Sequence, residues 1–279
     1  MKVQQITGPV AFHGEGPVWS EGWGGLRWVD MLAGDVLSLS PDGQVARRHV
    51  GEVAAALRPR MQGGAVIAVE RGFALESPDG TVEQLGEVWS DHGVRMNEGG
   101  CDPDGRFYAG SMAYDQSPGA AAVYRLDPDH SVHLVFDGVT VSNGIEWSPG
   151  GTRAYYNDTA TYAVRIFDYD RDAGLTAGRV FADVAPNRPD GLTVDGDGGV
   201  WVALSNGGAV RRYTPEGVLD ELVELPTKKV TACTFGGPDL DQLYITTSRE
   251  GIDPADKLAG SLFRADVGRR GLPVREFTG

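Results

Sequence analysis

A short apolar strand motif that recurs six times is the feature of this sequence that most constrains its fold. Each copy follows a turn that contains Gly or Asp. The copies lie at residues 25–30, 64–69, 105–110, 152–157, 199–203 and 241–246. Successive copies, measured from their central apolar residues, are separated by roughly 39, 40, 48, 46 and 43 residues. This period falls in the range of about 40–50 residues that is typical of the blades of a β-propeller.

A second strand with alternating character follows each copy of the motif. Most of these strands run into Pro-Asp-Gly-like turns, which begin at Pro41, Pro78, Pro128 and Pro215. Proline presets φ for such turns and Gly accepts positive φ. No segment shows a sustained apolar period of 3.6 residues, so little helix is expected.

These patterns predict an all-β, six-bladed β-propeller with four-stranded antiparallel blades around a central channel. We expect a single domain over residues 1–279. The alternative is a β-sandwich whose spacing is coincidental, but sandwiches of this size do not usually repeat one hairpin motif six times. In a propeller, the central channel collects strand ends and loops from every blade and is the expected site.

The composition excludes several classes of function. The chain has 39 acidic and 25 basic residues, for a net charge of −14. This balance argues against binding to nucleic acid, which needs clustered Lys and Arg, and against adhesion to anionic membranes. Neither a signal peptide nor an apolar stretch long enough to cross a bilayer is apparent, so we expect a cytoplasmic protein.

The sequence also excludes several types of metal site and active site. The cysteines Cys101 and Cys233 lie far apart and form no CxxC pair, which excludes a thiolate metal cluster. There is no Gly-x-Ser-x-Gly elbow, no His-Glu-x-x-His motif and no Walker loop. The run at residues 195–199, Asp-Gly-Asp-Gly-Gly, lacks the distal Glu of a calcium loop and predicts a hairpin turn. Any metal site must therefore rest on oxygen ligands.

Three polar residues occupy comparable places in different repeats. Glu15 stands between two glycines immediately before a strand, and Asn143 and Asp190 each precede a Gly. Each lies roughly 10 to 15 residues before the aromatic strand of its blade. Equivalent positions in different blades project towards the same channel, so these side chains are expected to converge. Two carboxylates and an amide oxygen suit Ca²⁺, Mg²⁺ or Mn²⁺. The alternatives are a solvated Glu15 and an ordinary surface turn at Asp190.

Arg95 and Asn97 precede the aromatic strand of the third repeat in the same way. Both side chains can donate hydrogen bonds into the channel, and an arginine suits a ligand rich in oxygen acceptors. The alternative is a surface loop that carries a charged pair.

At these residues the sequence resembles the gluconolactonase family, which includes regucalcin and the luciferin-regenerating enzyme. The matching motifs keep the order of the family and span nearly the whole chain. They are Gly-Glu-Gly-Pro-Val-Trp at 14–19, Arg-Met-Asn at 95–97, Asp-Pro-Asp-Gly-Arg-Phe-Tyr-Ala-Gly-Ser-Met at 102–112, Ser-Asn-Gly-Ile-Glu-Trp-Ser at 142–148, Phe-Asp-Tyr-Asp at 167–170, Pro-Asp-Gly-Leu-Thr-Val-Asp at 189–195 and Thr-Ala-Cys-Thr-Phe-Gly-Gly-Pro-Asp-Leu at 231–240.

The resemblance implies one divalent cation in the channel, with Glu15, Asn143 and Asp190 as its protein ligands. Calcium is the first expectation, with Zn²⁺, Mg²⁺ or Mn²⁺ as alternatives. Asp190 would also be the catalytic acid/base, while Arg95 and Asn97 would hold the substrate. The usual activity of the family is the hydrolysis of sugar lactones to aldonic acids, so a small-molecule lactone is the expected partner. A closed propeller has few exposed edges, which favours a monomer.

Two departures from the family pattern concern substrate preference. Glu98 stands where the family often has Asp, and Tyr114 stands where some members carry a substrate-contacting Glu. Tyr114 is therefore a candidate for hydrogen bonding to the substrate but supplies no carboxylate. Three other functions remain open: a calcium-binding regulatory protein without turnover, a protein-interaction scaffold, and a hydrolase of phosphoesters or fluorophosphonates.

Overall fold

The computed structural model describes residues 2–279, and they form 24 β-strands with three short 3₁₀ turns. The first twelve strands are β1 (Val3–Gln5), β2 (Gly14–Ser20), β3 (Gly25–Asp30), β4 (Asp35–Leu39), β5 (Val45–His49), β6 (Ala54–Pro59), β7 (Ala65–Val69), β8 (Gly72–Glu76), β9 (Val82–Glu87), β10 (Val94–Cys101), β11 (Phe107–Ala113) and β12 (Ala121–Leu126). The others are β13 (Val132–Val139), β14 (Ser142–Trp147), β15 (Arg153–Asp158), β16 (Ala163–Asp170), β17 (Gly174–Asp183), β18 (Pro189–Val194), β19 (Val200–Leu204), β20 (Ala209–Tyr213), β21 (Leu219–Glu224), β22 (Val230–Gly236), β23 (Gln242–Thr247) and β24 (Phe263–Asp266). The 3₁₀ turns are Glu21–Trp23, Met31–Ala33 and Thr159–Thr161.

The strands form six antiparallel sheets of four strands each. The innermost strands of blades 1 to 6 are, in that order, β2, β6, β10, β14, β18 and β22. Each of these strands contacts the innermost strand of the next blade, and β22 contacts β2. The ring is therefore closed, and the prediction of a six-bladed β-propeller is confirmed. Among the described residues, no helix has the length and hydrophobicity needed to cross a membrane.

Blade 6 joins the two ends of the chain. Its strand order is β22, β23, β24 and then β1, so the first strand of the chain is the outer strand of the last blade. Val3 pairs with Ala265 and Gln5 with Phe263. The N–H of Ile6 continues this pairing by donating to the carbonyl of Leu262 over 2.8 Å. This arrangement closes the ring through main-chain hydrogen bonds.

The recurring motif of the sequence corresponds to the second strand of each blade, and the strand that follows it is the third. The innermost strands carry no such pattern because each is interrupted by a shift in register. The shifts fall at Glu15/Val18, Ala54/Ala56, Met96/Glu98, Ser142/Ile145, Pro189/Leu192 and Val230/Ala232. A β-bulge bends its strand and redirects the side chains beside it. Four of the six bulges lie at or beside candidate site residues, namely Glu15, Asn97, Asn143 and Asp190.

Aromatic side chains fill the space between neighbouring blades. Trp147 is fully buried and packs edge-on against Tyr108 of the preceding blade, with ring centroids 5.2 Å apart. Trp201 packs in the same way against Phe235 of the next blade, at 5.7 Å. Such pairs contribute about 0.5–1.5 kcal/mol beyond the burial of their area. Each of these pairs joins an aromatic residue of a second strand to one of an innermost strand, and so helps to hold two blades together.

Candidate functional site

A cavity of about 680 Å³ lies at the end of the channel where the innermost strands begin. All six residues that the sequence singled out line this cavity: Glu15, Arg95, Asn97, Tyr114, Asn143 and Asp190. The opposite end of the channel holds a smaller cavity of about 180 Å³, which is lined by the ends of the same strands and by residues 272–275. The structure therefore brings the six candidate residues together at one end of the channel. Glu15, Asn143 and Asp190 lie within their innermost strands rather than before them.

Glu15 and Asp190 are buried carboxyl groups that share this cavity. Burial raises the pKa of Glu15 well above its usual range, and the negative charges of Asp190 and Glu98 raise it further. Burial also raises the pKa of Asp190 to about 8, and Glu98 adds to this effect. Among residues 2–279, neither carboxyl group lies within 4.0 Å of a Lys or Arg side chain. The positive charge of Lys229 opposes these shifts in both pKa values from a longer distance. Two buried acids that repel one another without a close ion pair favour the binding of a cation.

The carbonyl oxygen of Asn143 completes a set of oxygen donors. The side chain of Asn143 is buried, and its Oδ1 accepts a hydrogen bond of 3.0 Å from Nδ2 of Asn97. Its Nδ2 donates to Oγ1 of Thr159 over 2.6 Å. Two carboxylates and one amide oxygen are hard ligands that fit a divalent cation such as Ca²⁺. The described chain has no group of three or more His, Cys, Asp or Glu side chains that could hold a metal ion, so a site here depends on this amide.

Arg95 is buried beside these groups. Its Nη1 donates to Oδ1 of Asn97 over 2.7 Å and to the carbonyl of Met96 over 2.9 Å. Its Nε is buried and has no hydrogen-bond partner among the described residues. Burial lowers the pKa of the guanidinium, which nevertheless stays charged at neutral pH. An unused donor of this kind is suited to an oxygen of a bound ligand.

The two departures from the family pattern occupy different places. Tyr114 lies at the mouth and is 46% exposed. Its hydroxyl donates to Oε1 of Glu70 over 2.7 Å, and its ring lies 5.7 Å from the guanidinium carbon of Arg95. Glu98 is buried in the channel, where its Oε1 accepts from the N–H of Gly99 over 3.0 Å. Tyr114 can therefore reach a ligand in the cavity, while Glu98 acts on the site through its charge.

Several residues that sequence reasoning missed also line the cavity: His13, Thr159, Arg188, Lys229 and Glu250. Nζ of Lys229 lies 2.6 Å from Oε2 of Glu250. Nε2 of His13 lies 3.9 Å from Oε1 of Glu15, and burial lowers the pKa of His13 to about 3, so its imidazole is neutral. A signal was present for His13 and Arg188, because each stands two residues before a candidate ligand. Thr159, Lys229 and Glu250 carried no comparable signal.

The run at residues 195–199 forms a hairpin turn, as its sequence predicted. The N–H of Gly198 donates to the carbonyl of Asp195 over 3.0 Å. The buried Asp195 carboxylate accepts from Gly199 N at 2.8 Å and from Arg212 Nε at 2.6 Å. Asp195 thus stabilises blade 5 and takes no part in the cavity.

Comparison with known proteins agrees with this geometry. A family model described as "SMP-30/Gluconolactonase/LRE-like region" matches residues 13–249. The chain belongs to this family. It is 38% identical over 298 residues to regucalcin of Bos taurus, and the match covers 100% of this chain and 99% of that protein.

Two solved structures of the family share the architecture. A luciferin-regenerating enzyme superposes with a TM-score of 0.92 at 26% identity, covering 100% of this chain and 99% of that one. A regucalcin of Agrobacterium tumefaciens, described as a calcium-binding protein, superposes with a TM-score of 0.91 at 27% identity, covering 98% and 95%. The family assignment and the fold are therefore established together.

Proposed function

We propose that this protein is a metal-dependent lactonase that opens sugar lactones, such as aldonolactones, to the corresponding aldonic acids. The observation that carries the proposal is the convergence of Glu15, Asn143 and Asp190 with Arg95 and Asn97 on one cavity. Membership of a family whose name includes gluconolactonase supports the substrate class. A protein-interaction scaffold would not need two buried carboxyl groups in its channel.

In this proposal Glu15, Asn143 and Asp190 hold one divalent cation, with Ca²⁺ as the first expectation. The bound cation would supply positive charge to the lactone carbonyl oxygen as the tetrahedral transition state develops. Glu15, Asn143 and Asp190 are buried in the cavity, which keeps them away from bulk water. Because a nearby cation favours the ionised form of a carboxyl group, both Glu15 and Asp190 would be carboxylates when it is bound.

The other residues orient the substrate and move the proton. Asp190 would accept a proton from the attacking water and return it to the ring oxygen that leaves. The unused Nε of Arg95 and the hydroxyl of Tyr114 would bind hydroxyl or carbonyl oxygens of the sugar. Hydrolysis breaks the C–O bond between the carbonyl carbon and the ring oxygen and adds one water molecule, so no further reactant is needed.

The test is a hydrolysis assay at constant pH over a panel of aldonolactones. The protein is stripped with a chelator and assayed again after Ca²⁺, Mg²⁺, Mn²⁺ or Zn²⁺ is restored. We expect turnover that is lost on chelation and recovered with at least one cation. Acid release that a chelator does not affect would refute the metal mechanism. Cation binding without hydrolysis of any lactone would favour a regulatory calcium-binding protein instead.

Two substitutions separate the roles of the ligands. Asp190→Asn keeps the shape but removes the proton acceptor, so we expect most turnover to be lost while some cation affinity remains. Glu15→Gln should chiefly weaken cation affinity, measured by calorimetry. Asp172→Asn, in an exposed hairpin turn, is the matched control and should retain normal rates. Near-normal lactonase rates in Asp190→Asn would contradict its assignment as the acid/base.

A further inference from the structure

Three basic side chains that line the cavity have no acidic partner. Arg95, Arg188 and Lys228 have no carboxylate within 4.0 Å among residues 2–279, although the chain carries 39 acidic and 25 basic residues. Elsewhere the arginines are commonly paired, as Arg106 is with Asp102 and Arg212 is with Asp195. Arg95, Arg188 and Lys228 thus form a group of basic side chains without a close acidic partner in the described chain, on the wall of this one cavity.

Arg188 is held in place without using its guanidinium fully. Its backbone N–H donates to Oδ1 of Asn206 over 2.7 Å, and its carbonyl accepts from the N–H of Ser205 over 3.1 Å. The only side-chain hydrogen bond of Arg188 within the described chain is a long one of 3.4 Å from Nη2 to Oε1 of Gln116. Its Nε is buried and has no partner in that part of the chain. The backbone is fixed, while the side-chain donors make only one long hydrogen bond within the described chain.

Arg188 and Lys228 belong to one sector of the cavity wall. Arg188 immediately precedes the innermost strand β18, and Lys228 stands two residues before the innermost strand β22. These strands are neighbours in the ring. Because Arg188 precedes Asp190 by two residues, this sector borders the proposed cation site on the side of blades 5 and 6.

Among the described residues, the acidic groups of the rim form no close ion pair with the basic groups of this sector. Asp256 accepts hydrogen bonds from the Thr227 hydroxyl at 2.6 Å and from the N–H groups of Leu258 and Ala259. Asp253 accepts from the N–H of Ala255 over 2.8 Å. Glu250 is paired with Lys229. Each of these carboxylates has partners of its own, and none lies within 4.0 Å of a side-chain nitrogen of Arg188 or Lys228, both of which line the cavity.

We propose that the preferred substrate is a lactone that carries a carboxylate, which Arg188 and Lys228 bind at the side of the cavity formed by blades 5 and 6. This inference rests on the proposed lactonase function and specifies its substrate class as lactones of sugar diacids. A guanidinium offers two parallel N–H donors that match a carboxylate, and a neutral CH₂OH group would leave these donors unpaired. The carboxylate serves only for recognition. The bond that is hydrolysed is the lactone ester, as in the proposed lactonase function.

The test compares two lactones of the same ring size, a neutral aldonolactone and an aldarolactone with a carboxylate in place of the terminal CH₂OH. Both are assayed at constant pH with the calcium-loaded protein. We expect kcat/KM to favour the aldarolactone by roughly tenfold to hundredfold, the effect of hydrogen bonds to a charged group. Arg188→Met should reduce this preference at least about tenfold, chiefly through KM, and Arg188→Lys should restore part of it.

Arg153→Met is the matched control, because Arg153 is exposed and forms no ion pair within the described residues. It should leave the preference unchanged. Equal or faster hydrolysis of the neutral lactone, or a preference that Arg188→Met does not alter, would overturn the inference while leaving the lactonase proposal intact. Failure to hydrolyse either lactone with any cation would overturn both.

Discussion

At the scale of single residues, Arg95 determines how two amide side chains are oriented. A guanidinium only donates hydrogen bonds, so the atom of Asn97 that faces it must be the oxygen. The Nδ2 of Asn97 therefore faces Asn143, which must present its own oxygen. The Nδ2 of Asn143 is left to donate to Thr159, whose hydroxyl in turn donates to the Pro189 carbonyl over 2.7 Å. One donor-only residue thus sets the direction of the whole chain of hydrogen bonds.

This chain predicts that Thr159 tunes cation binding without touching the cation. Thr159→Val keeps the shape but removes the acceptor for Asn143, so the amide can turn. We expect the calcium dissociation constant to rise by about 10- to 100-fold, the usual range for residues that orient a metal ligand. Calorimetric titration with Ca²⁺ measures it, and Thr159→Ser is the control that keeps the hydroxyl. Equal affinities in the valine and serine variants would show that Thr159 does not orient Asn143.

At the scale of the strands, the innermost strands β14, β18 and β22 meet one another at glycine positions. A Cβ on Gly144 of β14 would lie 2.4 Å from the backbone N of Leu192 in β18. A Cβ on Gly191 would lie 2.4 Å from the Cβ of Ala232 in β22. Each of these glycines follows a candidate ligand directly. The close approach of the strands thus brings Asn143 and Asp190 towards each other.

Gly144→Ala should consequently destabilise the protein. The added methyl group meets backbone rather than a movable side chain, so blades 4 and 5 must separate. We expect the free energy of unfolding to fall by about 1–3 kcal/mol, the usual cost of overpacking. Urea denaturation measures the change. Gly150→Ala is the control, because a Cβ at that position has open space around it. A Gly144→Ala midpoint equal to that of the control would disprove the close packing.

The strands also show what the sequence could and could not predict. The second strands were visible because apolar residues around a central aromatic or branched residue recur at a fixed period. The innermost strands were not visible in the sequence, because bulges and glycines interrupt the alternating pattern, as in Gly14–Ser20. Glu15, Asn143 and Asp190 could be identified as candidates from their equivalent places in the repeat. Lys229 and Glu250 reach the cavity from turns whose direction depends on how the ring closes, which no local pattern reveals.

At the scale of the whole molecule, the propeller is held closed by one short strand. β1 has three residues, yet it supplies the outer edge of blade 6 and links the first blade to the last. Because the blades pack against one another around a closed ring, loss of one contact between blades weakens the others. The single-domain organisation over residues 1–279 stays a prediction, and a closed ring predicts that it unfolds in one cooperative transition.

Removal of residues 1–6 tests this closure. The deletion leaves the backbone of β24 as an unpaired edge, which promotes association with other chains, and it removes the link between the ends of the ring. We expect a lower urea midpoint together with aggregation detected by light scattering. Gln4→Thr is the control, since it changes an exposed side chain of β1 but keeps the strand, and surface changes of this kind usually alter stability by less than about 0.5 kcal/mol. A deletion variant that matches this control in midpoint and remains free of aggregates would mean that the contacts between blades alone keep the ring closed.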